Sequence, residues 1–261
     1  EVTTTGSPTI INIEGRVVHN SVETVGDFSC SKPMLNKIHQ NILWGMRSNL
    51  YGVLTDCPQR AERAGWMEVG HNLAESLIFN FDMARFYTKW MDDLKDDRGD
   101  TRYPVGSFAN GATATQVPYL GWASWPGDLA WTGLPVFVPW HIYQHDGDKR
   151  ILAEHYAGSK RFLDIIEEEA VDYLIIDNYN NPPNFALFSD WADPESGSNY
   201  PTDADKVLYR ELHGTAFFYY CASTMVKQAT SIDDGSLPAD SAPPTRAGSV
   251  SAARKSGVWN G

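Results

Sequence analysis

The chain has 261 residues, 42% hydrophobic and 12% aromatic, which is enough for a domain with a sizeable core and too apolar for disorder throughout. Its formal net charge of −12 argues against nucleic acid or an anionic membrane surface as partner, and no apolar run approaches the roughly 20 residues that span a bilayer. Cys30, Cys57 and Cys221 are odd in number and far apart, so neither a disulfide framework nor a zinc spacing is visible. The chain opens on Glu1, with no initiator Met and no secretory segment. It therefore reads as an internal piece or a processed form, and either a secreted or a cytoplasmic location fits it.

Residues 1–27 read as a β-type lead-in: Ile10, Ile11, Ile13, Val17, Val18, Val22 and Val25 alternate weakly and Gly15 interrupts them. Ser31 is a plausible N-cap with Pro33 close behind, and Met34, Leu35, Ile38, Ile42 and Leu43 recur at helical spacing, which predicts a helix over 33–49. A loop follows from about 50 to 65. Leu73, Leu77, Ile78 and Phe81 predict a second helix, and Met83, Phe86, Trp90 and Leu94 another segment of the same period. Residues 100–127 are a long Gly/Pro/aromatic stretch without period, the kind of loop that is usually functional. Trp131, Leu134, Val138 and Ile142 predict a further helix, in which Pro135 and Pro139 must lie near the start or kink it. After a turn at Asp146-Gly147-Asp148, Leu152, Tyr156, Phe162, Leu163 and Ile166 give one more. Residues 177–205 read as a second long loop, and Val207 to Val226 as a last helix. From Asp233 the composition turns to Ser, Ala, Pro, Gly and Arg, and residues 233–261 read as a disordered tail.

The chemistry concentrates in Thr55-Asp56-Cys57-Pro58-Gln59-Arg60-Ala61-Glu62-Arg63-Ala64-Gly65-Trp66. Asp56, Glu62 and Glu68 are three acids around Arg60 and Arg63, with an aromatic face beside them. Glycoside hydrolysis needs this mixture: an acid for the leaving oxygen, hydrogen-bonding groups for hydroxyls and an aromatic face for the sugar. The same acids also suit the positive end of a helix, and the same Arg–Glu neighbours suit a surface ion pair. Cys57 has no His/Asn pattern beside it and reads as a small loop residue rather than a nucleophile. His71, one turn after Met67, either faces a site or packs as an ordinary core histidine. No paired His/Asp/Glu spacing indicates a metal.

Asp-Cys-Pro-Gln-Arg-x-Glu-Arg-x-Gly-Trp resembles the signature of the α-L-rhamnosidase family of glycoside hydrolases, and nine of its eleven positions are specified. The resemblance covers roughly residues 28–230. Val138-Pro139-Trp140 with Tyr143 and Gly147-Asp148 looks like a further family helix, Ser189-Asp190-Trp191 like a family loop, and His213-Gly214-Thr215-Ala216-Phe217 like the helix after it. The resemblance implies an all-α fold, a partial (α/α)6 toroid of helical hairpins over residues 28–232. It implies Glu62 as general acid, with Asp56, Arg60 and Trp66 binding rhamnose. Glu68, Trp131, Asp190 and Trp191 join them as substrate-binding candidates. The implied activity is inverting release of terminal α-L-rhamnose from glycosides or polysaccharides. No cofactor and no metal are implied, and the expected partner is a rhamnose-containing carbohydrate.

The chain departs from the family pattern at several positions. Ala61 stands where the family has Asp. Val69 stands where it has a sugar-binding Asp, and neighbouring Glu68 is turned about 100° away on a helix. Trp131-Thr132-Gly133 lacks the carboxylate of the family's Trp-Gly-Asp, while Asp128 lies earlier in the chain. No position matches the family's general base. Two other readings follow from these losses: a lyase-like relative acting on rhamnosyl-uronate linkages, and an inactive or truncated fragment that binds sugar.

Overall fold

The computed structural model describes residues 11–97, 111–121, 128–176, 187 and 203–233, together with 5, 6 and 9. Side chains of 203–206 are excluded. The expectations for the stretches around Ser189-Asp190-Trp191 and for the tail from 234 lie outside these residues.

Eight helices follow in order: α1 (Pro33–Asn49), α2 (Met67–Asn72), α3 (Ala74–Asn80), α4 (Ala84–Asp97), α5 (Leu129–Thr132), α6 (Leu134–Asp146), α7 (Lys149–Glu169) and α8 (Asp203–Asp233). No strand forms among the described residues. Among the described residues of the β lead-in expected at the N-terminus there is one isolated bridge, Thr24 to Phe81, and no strand. Alternating valines and isoleucines need a neighbouring strand, and a helical neighbour offers none; Ile11, Ile13, Val17 and Val18 are exposed instead. At α1 the expected Ser31 cap is displaced by one residue: Lys32 holds the N-cap position without a side-chain bond, and Pro33 opens the helix.

The centre of the molecule is α6. It is apolar nearly all round, with Leu134 through Pro139, His141 and Ile142 buried, as a helix enclosed on several sides must be. It packs on α2, α3, α4, α7 and α8. One core cluster fills the space between α6 and the α1–α4 side, with Trp90, Tyr87, Leu77 and Phe81 among its largest members. A second lies between α6, α7 and α8, around Phe137, Phe162, Ile166 and Cys221. The hairpin of α6 and α7 turns at Gly147, whose φ of +71 is the left-handed C-cap conformation that glycine adopts without strain. Asp148 then caps α7 by accepting from the Arg150 N–H.

Pro139 lies inside α6 and does not end it. A proline there removes the N–H that would serve the carbonyl of Pro135, four residues back. The hydroxyl of Ser159, on α7, donates to that carbonyl at 2.8 Å. The side-chain amide of Gln228, on α8, donates to the neighbouring Val136 carbonyl at 2.6 Å. Ser159 thus replaces the bond that Pro139 removes, and Gln228 adds a tie between α8 and α6.

Two apolar stripes face solvent. On α1 they are Leu35, Ile38 and Ile42; on α8, Leu208, Leu212, Tyr219 and Val226 recur at the helical period, and Tyr219 is 76% exposed. Stripes of this size on outer helices are surfaces that other helices cover.

Two outcomes follow. Ser159→Ala should destabilise the protein by about 1–3 kcal/mol in urea unfolding, because the Pro135 carbonyl is then buried without a donor; an unchanged midpoint would show that water serves the carbonyl. The 261-residue chain by itself should elute above its 29.1 kDa monomer mass. Changing Leu208, Leu212 and Tyr219 together to Gln should return it to monomer size, and a parent chain already monomeric would refute the reading of the stripe.

Candidate active site

The loop between α1 and α2 carries the motif. Leu50 and Leu54, both buried, bridge at its start. Beyond them the chain doubles back. The Asp56 N–H donates to the Ala64 carbonyl at 3.2 Å and the Arg60 N–H to the Cys57 carbonyl at 3.0 Å. Closing so short a loop puts Cys57 and Arg63 at φ +40 and +47, a left-handed backbone that costs non-glycine residues on the order of 1 kcal/mol. Surroundings that impose such a conformation are common at functional loops.

The exit of the loop is clamped. The Val117 N–H donates to the Gly65 carbonyl and the Met67 N–H to the Thr115 carbonyl, both at 3.0 Å, with Trp66 opposite Gln116. The Val117 carbonyl in turn accepts from the indole N–H of buried Trp90 at 2.9 Å. Part of the 100–127 stretch therefore runs beside the motif. The sequence marked 100–127 as a functional loop but did not reveal this backbone pairing or Trp90's part in it. The alternation of Ala112, Thr113, Ala114 and Thr115 is a period of two and was the available signal.

Between the closed loop and the clamp sits Glu62, half-buried, with its Oε1 accepting from the Trp66 indole N–H at 3.2 Å. Trp66 is 8% exposed, and its ring meets Trp131 edge-on, centroids 5.4 Å apart. Asp56 accepts from the Cys57 thiol at 3.3 Å. Burial pushes that thiol above its ordinary pKa, as do the hydrogen bond and charge of Asp56; Arg60 opposes and Glu62 adds to the rise. Asp56, Arg60 and Glu62 thus all act on one sulfur, which places them in one cluster. A thiol held protonated is a poor nucleophile, as expected for Cys57. Arg60 is exposed and forms no ion pair with a described residue.

Glu68 sits in the first turn of α2 and accepts from the Asn72 amide at 2.9 Å, a bond along its own helix. Trp131 is presented by α5, a helix of four residues. Such a helix cannot sustain itself, and two buried polar groups hold it. Asp128 caps it, its carboxylate accepting from the Ala130 N–H at 3.0 Å. His71 reaches it from α2, with Nε2 at 2.6 Å from the Ala130 carbonyl, where it donates. His71 is thus a packed histidine that ties the helix after Trp66 to the helix bearing Trp131. Burial pulls its pKa down from 6.5 to about 4, against the opposing effect of the Ala130 bond and with a smaller contribution from His141. Asp190 and Trp191 lie outside the described residues.

The structure therefore brings Asp56, Arg60, Glu62, Trp66 and Trp131 together. Residues 23–239 match the family model described as the bacterial alpha-L-rhamnosidase 6 hairpin glycosidase domain. The chain belongs to this family. It is 31% identical to an alpha-L-rhamnosidase of Streptomyces avermitilis over 89% of its own length and 20% of that protein's. Among solved structures, the alpha-L-rhamnosidase from Dictyoglumus thermophilum shares 39% identity with a TM-score of 0.71, covering 87% of this chain and 23% of that one. The Streptomyces avermitilis enzyme complexed with L-rhamnose shares 29% with a TM-score of 0.69, over 84% of this chain and 18% of the other. The chain spans about a fifth of the length of these curated relatives. Its helices are accordingly a part of a six-hairpin (α/α)6 domain.

A pH test follows from His71. Its folded pKa, about 4, lies below the 6.5 of the unfolded chain. Between those values the unfolded chain binds a proton that the folded protein refuses. Stability therefore falls as pH drops from about 6.5 toward 4 and this loss levels off below that. His71→Gln, whose amide can still donate to the Ala130 carbonyl, should remove on the order of 2–3 kcal/mol of the difference between urea unfolding at pH 7 and pH 4.5. Parallel pH dependences in parent and variant would assign the acid loss to other groups.

Proposed function

We propose that this chain supplies the acid-bearing part of an α-L-rhamnosidase active site. Glu62 gives its proton to the glycosidic oxygen as the bond from that oxygen to the anomeric carbon of a terminal α-L-rhamnose breaks. Water adds to the anomeric carbon and loses its proton to a second carboxylate, to which no described residue is assigned. Inversion at carbon requires that base to stand across the sugar, with room for the water between, about 6.5–9.5 Å from the acid. Asp56 and Arg60 bond the sugar hydroxyls, and Trp131 with the Trp66 edge offers the apolar ring a surface. Glu68, Asp190 and Trp191 are the further candidates for sugar contact.

The observation that carries this reading is the Trp66–Glu62 hydrogen bond inside a cluster with Asp56 and Arg60. A general acid needs one fixed direction, and an indole N–H on one carboxyl oxygen leaves the other to meet the substrate. Membership of a family whose relatives are named alpha-L-rhamnosidases, one of them solved with L-rhamnose, supports the same substrate.

In the protein that carries this chain, Glu62→Gln should lower cleavage of natural rhamnosides by about 10²–10⁴-fold. L-rhamnose should still change the tryptophan fluorescence, since Trp66 and Trp131 both border the site. Full activity in the variant would remove Glu62 from the mechanism. An unsaturated product absorbing in the ultraviolet would replace hydrolysis with elimination.

A further inference from the structure

Helix α8 brings a polar ring to the α5 end of the molecule that the cluster at Glu62 does not use. The chain turns at Gly147, and α7 runs back along α6 with Ser159 beside Pro135. The last turns of α7 therefore pass the start of α6, which Gly133 alone separates from α5. Just beyond α7, the Ile175 N–H donates to the Thr215 hydroxyl at 3.0 Å. A Cβ at Gly214 would stand 3.1 Å from Leu187 and 3.4 Å from Ile175, so glycine lets these two residues seat against α8. Residues 213–215 are thus held at the end where α5 presents Trp131, and α5 itself packs on α8.

Three rings follow one another along this part of α8 at the helical period. Tyr209 and His213 are stacked, with planes 14° apart and centroids at 6.3 Å, and His213 meets Phe217 at 4.9 Å. Phe217 in turn meets the His71 imidazole at 6.3 Å, and His71 holds the Ala130 carbonyl next to Trp131. The two histidines differ in one respect. His71 has its bond, whereas His213 Nδ1 is enclosed without a hydrogen-bond partner and its Nε2 makes no hydrogen bond among the described residues. His213 is half-buried, and Nε2 is not enclosed as Nδ1 is, so Nε2 is the nitrogen a ligand can reach. A polar ring fixed between two aromatic neighbours and paired with nothing calls for a partner from outside the chain.

The surroundings select that partner. An imidazole nitrogen donates or accepts according to its tautomer, and a sugar hydroxyl can answer either. Tyr209 and Phe217 beside it offer apolar ring surface of the kind a saccharide also packs on. Among the described residues His213 belongs to no group with the spacing of metal ligands.

We propose that His213 is a further sugar-binding residue, hydrogen-bonding a hydroxyl of the saccharide held at Trp131; this rests on the reading of the site as one for terminal rhamnose. It adds a contact from α8 to those from the motif loop and α5. The sequence does not single it out, because a lone histidine on a helix is most often a packing residue.

The test uses the protein that carries this chain, with L-rhamnose binding followed by tryptophan fluorescence and cleavage of an aryl α-L-rhamnoside followed by initial rates. His213→Phe keeps a ring between Tyr209 and Phe217 and removes both nitrogens. It should weaken L-rhamnose binding and raise KM roughly tenfold, with kcat within about twofold of the parent and the melting temperature unchanged. His213→Gln, whose amide both donates and accepts, should recover part of that loss. Unchanged binding and KM in His213→Phe would make the ring a packing residue and overturn the proposal. So would a Gln variant that binds no better than the Phe variant. Glu62→Gln, run in parallel, separates this proposal from the reading it rests on. Cleavage lost there beside an unaltered His213→Phe removes His213 alone. A parent protein that binds no L-rhamnose removes the proposed function and His213 with it.

Discussion

Two backbone hydrogen bonds, Gly65 with Val117 and Met67 with Thr115, decide where the acid of this site sits. Glu62 has no rigid element of its own; it rides on a loop with two residues in left-handed backbone. What fixes it is the Trp66 indole, and what fixes Trp66 is the clamp on either side of it. The clamp is itself anchored by Trp90, whose ring is buried against Gly70 while its N–H holds the Val117 carbonyl. A Cβ at Gly70 would stand 2.5 Å from that ring and from Leu134, so glycine is required for α2 to approach α4 and α6. From core to site the order is Trp90, Val117, Gly65, Trp66, Glu62. Each link is a single directional bond or a covalent neighbour, the kind of support that the acid role proposed for Glu62 requires.

The central helix α6 shows the same dependence on its surroundings. Two prolines and an all-apolar sequence make it a poor helix in isolation. Enclosure between two cores provides the apolar burial, Ser159 provides the donor that the Pro135 carbonyl lacks, and Gln228 ties α8 to the Val136 carbonyl. Once α6 is fixed, the α6–α7 hairpin follows from Gly147 and Asp148, and α5 is held at its N-terminal end.

Much of this was legible in the sequence, for identifiable reasons. Helices α1, α4, α7 and α8 carry an apolar stripe at a regular period, buried on α4 and α7 and largely exposed on α1 and α8, so Leu35 to Leu43, Phe86 to Leu94, Leu152 to Ile166 and Val207 to Val226 announce them. The motif announced itself because it puts acids, cations and a tryptophan in eleven positions. The β lead-in was misjudged, since alternation states what a segment would bury and not whether a partner strand exists. Glycine and proline cues read the 100–127 stretch as loop, yet residues 112–117 are buried and pair with the motif through backbone atoms, for which the short alternation of Ala112 to Thr115 is the one sequence trace. Asp128 offered a carboxylate to the site by its position in the chain; the structure uses it as the cap of α5.

The short helices α2, α3 and α5, of six, seven and four residues, are too short to be stable alone. They are also the ones next to the functional groups: α2 begins at the residue after Trp66, and α5 contains Trp131. Long helices carry the packing, and short ones present the chemistry. Their order comes from buried polar bonds such as His71 to Ala130, whose strength depends on exclusion of water and therefore on an intact core. Site geometry and fold stability are in this way coupled through a few polar groups. The arrangement explains why a chain with so regular a set of long helices concentrates its least regular backbone where Glu62, Trp66 and Trp131 meet.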